Sequence, residues 1–139
     1  MTDPVQPRSQ SATILLVEDE PAIPKLIRRT LAGAGYELLV ARDGDEALRV
    51  AGQHRGVIDL LLTDIVMPGM NGFELVKQIG RAHPETTVLF VSGYSRDSTS
   101  VRSGLRTAGR AFLLKPFTQD ALLAKIKDVL QGGPDDGTA

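Results

Sequence analysis

Five short apolar runs, each followed by a segment of helical period, alternate along this chain, and few folds accept that pattern. The runs are Ile14–Val17, Glu37–Ala41, Val57–Thr63, Val88–Val91 and Ala111–Leu114. Runs of this length, bounded by Gly, Pro, Asn or Asp, read as strands buried on both faces. Strict alternation of such strands with helices implies an α/β domain: a parallel sheet with helices on both faces.

The helical segments carry their own start and stop signals. The first begins near Pro21, aligns Ile23, Leu26, Ile27 and Leu31, and stops at Gly33 and Gly35, with Pro24 tolerated only in the first turn. The second runs from about Asp45 to Gln53, and the third follows Asn71 and Gly72 with Phe73, Val76 and Ile79 aligned. The last starts at Thr118, an N-cap, and stacks Leu122, Ile126, Val129 and Leu130 before Gly132. The fourth, roughly 98–108, is the weak one. Only Val101, Leu105 and Ala108 are apolar there, among poor helix formers, so low local stability is expected.

At 139 residues with a net charge of −1, the chain is sized for one domain and has no basic excess to suggest direct nucleic-acid binding. It contains no cysteine, which excludes disulfides, thiolate catalysis and zinc–thiolate sites. No apolar stretch resembles a signal peptide or a membrane span, so a cytoplasmic protein without membrane contact is expected. Residues 1–12 and 132–139 have tail- or linker-like composition, leaving 13–131 as the folded domain.

Open α/β sheets bind ligands beyond the carboxyl ends of their strands. Four of the five strand candidates end in polar residues: Glu18 and Asp19, Asp64, Ser92 and Lys115. Each alone has an ordinary explanation. Acids before Pro21 suit a helix N-terminus, Asp64 reads equally well as a turn or cap residue, Ser92 as a turn hydroxyl and Lys115 as a solvated lysine. Together at one sheet edge they are harder to dismiss. Three carboxylates held close repel unless a cation joins them. Hard oxygen donors without cysteine or a nearby histidine suit magnesium or manganese. A carboxylate beside such a cation, a hydroxyl and an ammonium is arranged for phosphoryl transfer, with the carboxylate as nucleophile.

The stretches Ile-Leu-Leu-Val-Glu-Asp-Glu (14–20), Leu-Thr-Asp-Ile-Val-Met-Pro-Gly-Met-Asn-Gly (62–72), Val-Ser-Gly-Tyr (91–94) and Phe-Leu-Leu-Lys-Pro-Phe (112–117) resemble the receiver domain of two-component response regulators. The resemblance covers residues 13–131. It implies a flavodoxin-like doubly wound sandwich of five strands in the order 2-1-3-4-5. It also implies that Asp64 accepts a phosphoryl group from phosphohistidine on a histidine kinase or histidine phosphotransfer protein. Glu18 and Asp19 match the family's magnesium-binding acids, with the backbone carbonyl of Val66 as a further ligand. Glu18 stands where many members have Asp, so its longer side chain could act through water.

Lys115 would pair with Asp64 and then with the phosphoryl oxygens, and the Lys115–Pro116 bond matches the family's cis peptide. Ser92 and Phe112 match the switch pair; Phe112 alone reads as a core aromatic. Phosphorylation would then alter the surface made by the fourth helical segment, the fifth strand and the last helix. Arg102, Arg106 and Arg110, at intervals of four, read as a solvated face or a site for an acidic partner. Val66 lacks a polar group to orient water and Tyr94 could shield the site, so slow autodephosphorylation is expected.

A magnesium-dependent phosphohydrolase of the haloacid dehalogenase type also forms an aspartyl phosphate, but its second acid is replaced here by Val66. No phosphate-binding Gly-Lys-Ser/Thr loop is present. His54 and His83 fall in polar segments expected to be exposed, and neither reads as a phosphohistidine site. A turnover enzyme is therefore not expected. The chain reads as a stand-alone regulator, monomeric or dimerising on phosphorylation, or as the receiver of a hybrid sensor histidine kinase, which the wording of residues 92–95 and 113–117 resembles.

Overall fold

The computed structural model describes residues 12–18, 22–65, 69–92, 111–114 and 117–131, with backbone alone at 22–24, 26, 92 and 114. In chain order these form β1 (Thr13–Val17), α1 (Ala22–Gly33), β2 (Glu37–Ala41), α2 (Gly44–Gln53), β3 (Leu60–Asp64), α3 (Gly72–Ala82), β4 (Thr87–Ser92), β5 (Ala111–Leu114) and α4 (Gln119–Leu130). The strands make one sheet in the order β2-β1-β3-β4-β5, parallel at every pairing. This is the flavodoxin-like doubly wound arrangement. The segment 98–108, expected to be helical, lies outside the described residues.

Local chemistry explains the helix boundaries. Asp43 caps α2 by accepting from the N–H of Glu46 at 2.8 Å, and Glu46 reaches back to the N–H of Arg42 at 2.7 Å. Asn71 caps α3 through the N–H of Glu74, and Thr118 caps α4 through the N–H of Ala121, as its position in the sequence predicts. Each donor so paired would otherwise be left without an intrahelical partner. At the end of α1, the N–H of Tyr36 reaches the carbonyl of Leu31 and that of Gly35 the carbonyl of Ala32. This closure needs a left-handed residue, and Gly35 supplies it at φ 93°.

The strands alternate their side chains between two cores. Ile14, Leu16, Leu60 and Leu62 pack with Ile27 and Leu31 of α1 and Leu122, Ile126 and Val129 of α4. Leu15, Val17 and Leu61 face the other way, onto Ala47 and Ala51 of α2 and Leu75 and Ile79 of α3. All five residues of β1 are buried, as a central strand covered on both faces requires.

β3 begins at Leu60 rather than at Val57, where the apolar run starts. Val57 is exposed, whereas Ile58 is buried in the α2–α3 core. Apolarity therefore extends beyond the strand, because Ile58 fills core space from the approaching loop. At its other end β3 includes Asp64, one residue past the predicted limit, because Asp64 still pairs with Val91.

Candidate functional site

Strand register decides which polar ends meet. Val17 pairs with Thr63, so the next residues, Glu18 and Asp64, stand side by side at the ends of β1 and β3. Asp64 pairs with Val91, which brings Ser92 to the same edge one residue further on. Ser92 pairs with Leu114, the last residue before Lys115 in the chain. The carboxyl edge of the three middle strands thus carries Glu18, Asp64 and Ser92.

Glu18 is held where β1 ends. Its N–H donates to the carbonyl of Ala41 at 3.1 Å, prolonging the β1–β2 pairing by one residue, and the residue is only 3 % exposed. Asp64 is half-buried. Its carbonyl oxygen accepts from the Thr63 hydroxyl at 2.9 Å. A deeply buried carboxylate is costly unless compensated by partners or a cation. Carboxylates such as those of Glu18 and Asp64, on the ends of adjacent strands, are hard-oxygen donors of the kind magnesium takes. Among the described residues no three His, Cys, Asp or Glu side chains gather as a metal site. The expected third acid, Asp19, lies outside them, as do Val66, Tyr94, Lys115 and Pro116.

The loop after Asp64 returns to the sheet at α3. The N–H of Gly72 donates to the carbonyl of Ile65 at 2.8 Å, and Met70 packs against Gly44 at the head of α2. Phe112 is half-buried and in register with Phe90, beside Ile65. Phe90 in turn meets Phe73 of α3, ring centroids 5.1 Å apart and tilted by 50°.

Two features escaped the sequence reading. Gly72 reads there as a helix boundary, but it approaches the Asp64 main chain closely; only its place at the end of the motif from 62 to 72 hinted at more. The histidine expectation is corrected at His83, whose side chain is 12 % exposed, with Nε2 2.9 Å from the carbonyl oxygen of Ala51. A position just past the end of α3 appears polar in sequence, but the packing of α2 against α3 covers it.

A sequence model of the response regulator receiver domain matches residues 14–127. The chain is 38 % identical over 123 residues to the sensor kinase CckA of Brucella abortus, covering 88 % of this chain and 13 % of that protein. It is 36 % identical to the transcriptional regulatory protein DltR of Streptococcus agalactiae, covering 82 % of this chain and 50 % of that protein. The chain therefore spans half or less of the length of these two relatives. Among solved structures, the receiver domain of the hybrid histidine kinase CckA superposes with a TM-score of 0.71 at 36 % identity, covering 86 % of this chain and 100 % of that one. A CheY-like receiver domain protein from Methanospirillum hungatei superposes with a TM-score of 0.74 at 32 % identity, covering 91 % and 99 %. Among the described residues no helix is long and apolar enough to cross a membrane.

Proposed function

The chain belongs to the response regulator receiver domain family of two-component signalling, and on that premise we propose that Asp64 is its phosphoacceptor. The observation that carries this reading is the register that sets Glu18 beside Asp64 at the carboxyl edge of the sheet. An Asp64 carboxylate oxygen attacks the phosphorus of a phosphohistidine on a histidine kinase or phosphotransfer protein. The new P–O bond forms as the P–N bond breaks, and the imidazole nitrogen keeps the electron pair.

Glu18 and Asp19, with Asp64 and the carbonyl of Val66, are the residues that would hold magnesium. When bound, the cation neutralises charge on the transferring group. Lys115 supplies a second positive charge, aimed by the peptide bond to Pro116, and Ser92 donates a hydrogen bond to a phosphoryl oxygen. Movement of Ser92 toward the phosphate frees space for Phe112 to turn inward. This alters the surface formed by residues 98–108, β5 and α4. Val66 and Tyr94 set how long the phosphoryl group lasts. In this reading the chain is a phosphoacceptor and not a turnover enzyme, and 13–131 is the receiver with linkers on either side.

The test is incubation with magnesium and acetyl phosphate, followed by intact-mass measurement. Wild type gains one phosphoryl group. Asp64→Asn gains none, and chelation of magnesium abolishes labelling of the wild type. Equal labelling of wild type and Asp64→Asn overturns the assignment.

A second reading concerns the parent protein. Similarity to CckA, a sensor kinase of which this chain matches 13 %, favours a cytoplasmic receiver within a hybrid histidine kinase. Sequencing the gene on both sides tests it: an adjoining kinase module supports the hybrid, and its absence favours a separate regulator.

A further inference from the structure

We propose that Gly72 and Thr63 are positioning residues that fix the Asp64 peptide in the geometry phosphoryl transfer needs; this rests on Asp64 being the phosphoacceptor. Both act on one atom, the carbonyl oxygen of Asp64. The Thr63 hydroxyl donates to it at 2.9 Å from a residue only 1 % exposed. The first residue of α3 comes so close that a Cβ on Gly72 would lie 2.5 Å from that oxygen, 3.0 Å from the Cα of Ile65 and 3.3 Å from the Asp64 carbonyl carbon.

All three atoms belong to the main chain, so no rotamer change relieves the overlap. The Asp64–Ile65 peptide itself would have to move. The contrast is Gly44, where the three atoms nearest an added Cβ all belong to the Met70 side chain. Nor does Gly72 serve a left-handed backbone, since the glycines with positive φ among the described residues are Gly35 and Gly69. Its backbone suits alanine, and alanine is the better helix former. What position 72 requires is therefore the absence of a side chain, and the group that occupies the space is the peptide carrying the nucleophile. The N–H of Gly72 also donates to the carbonyl of Ile65 at 2.8 Å, so α3 grips two successive peptides at the end of β3.

A displaced nucleophile loses rate without losing the fold, because transfer depends steeply on alignment. The experiment is a time course of labelling by acetyl phosphate in magnesium, read by intact mass, with urea unfolding in parallel. Wild type and Asp64→Asn are run first. If both label alike, the phosphoacceptor reading itself fails, and that failure is distinct from those below.

With that reading intact, Gly72→Ala is expected to label about tenfold more slowly or worse while unfolding cooperatively. Thr63→Val keeps the volume, removes the donor and is expected to label several-fold more slowly. Asn71→Ala removes the neighbouring cap bond to Glu74 (2.9 Å), puts no atom near Asp64, and should label at the wild-type rate. A merely structural role would lower the labelled fraction in step with the folded fraction and leave the rate constant of folded molecules unchanged. A wild-type rate constant in either folded variant overturns the role of that residue, and equal slowing in Asn71→Ala overturns both. If Gly72→Ala does not fold, Thr63→Val decides by the same criterion.

Discussion

The Nε2 of His83 lies 2.9 Å from the carbonyl oxygen of Ala51, tying the residue after α3 to the last turn of α2. Its Nδ1 lies 3.2 Å from a carboxylate oxygen of Glu85, so one imidazole bridges two helix ends and the turn leading into β4.

Replacing His83 with Ala removes the bond to Ala51 and opens space beneath it. A loss of about 1–2 kcal/mol is expected from the bond and its desolvated acceptor. Urea unfolding should show a lower midpoint with an unchanged slope. An unchanged midpoint would mean that the bridge adds nothing to stability.

Asp59 performs a related task at the opposite edge of the sheet from Asp64. Its carboxylate accepts from the buried N–H of Thr13 at 2.8 Å, joining the start of β1 to the approach to β3. Asp59→Ala leaves that donor unpaired and is expected to cost about 1–3 kcal/mol. Asp59→Asn keeps an acceptor oxygen and should recover most of the loss. Thermal unfolding of the two variants side by side checks this.

The carboxyl of Glu85 is held below the usual carboxylate value, first by its own backbone N–H and further by the His83 side chain. Because the folded value is the lower one, its contribution to stability is complete above the unfolded value and fades as pH falls through the folded one. Glu85→Gln should therefore be the less stable protein at neutral pH and match wild type once the pH falls below the lowered folded value. Since Glu85 is exposed, the difference is small. Urea midpoints across that interval would reveal a pH-independent gap if the linkage were absent.

Val66 and Tyr94 are the residues proposed to set the phosphoryl lifetime. Val66→Asn introduces a group that can orient water, and Tyr94→Ala removes a cover. Together they should shorten the lifetime of phosphorylated Asp64, read as loss of the added mass after acetyl phosphate is removed. A decay rate equal to wild type removes both residues from that role.

Much of this molecule is legible in its sequence because strands, helices and caps are local events. The apolar runs place β1, β2, β4 and β5 within about a residue of their observed limits. Thr118 announces the start of α4 and Gly35 the end of α1, since each satisfies backbone groups within a few residues of itself. Even the candidate site is foreshadowed, because parallel strands bring their carboxyl ends to one side and so gather the polar residues after them.

The tertiary structure decided what periodicity cannot encode. Strand order followed from family resemblance and not from any property of the runs, and it sets Glu18 rather than another polar end beside Asp64. Ile58 reads as strand but serves as core filler on a loop, and His83 reads as surface but is covered by helix packing. Gly72 reads as a helix boundary, while its lack of a side chain admits α3 against the Asp64 peptide. In each case the deciding contact joins residues distant along the chain or on different elements. Side-chain pattern records which face of an element is buried, whereas the identity of what covers that face depends on how the elements assemble.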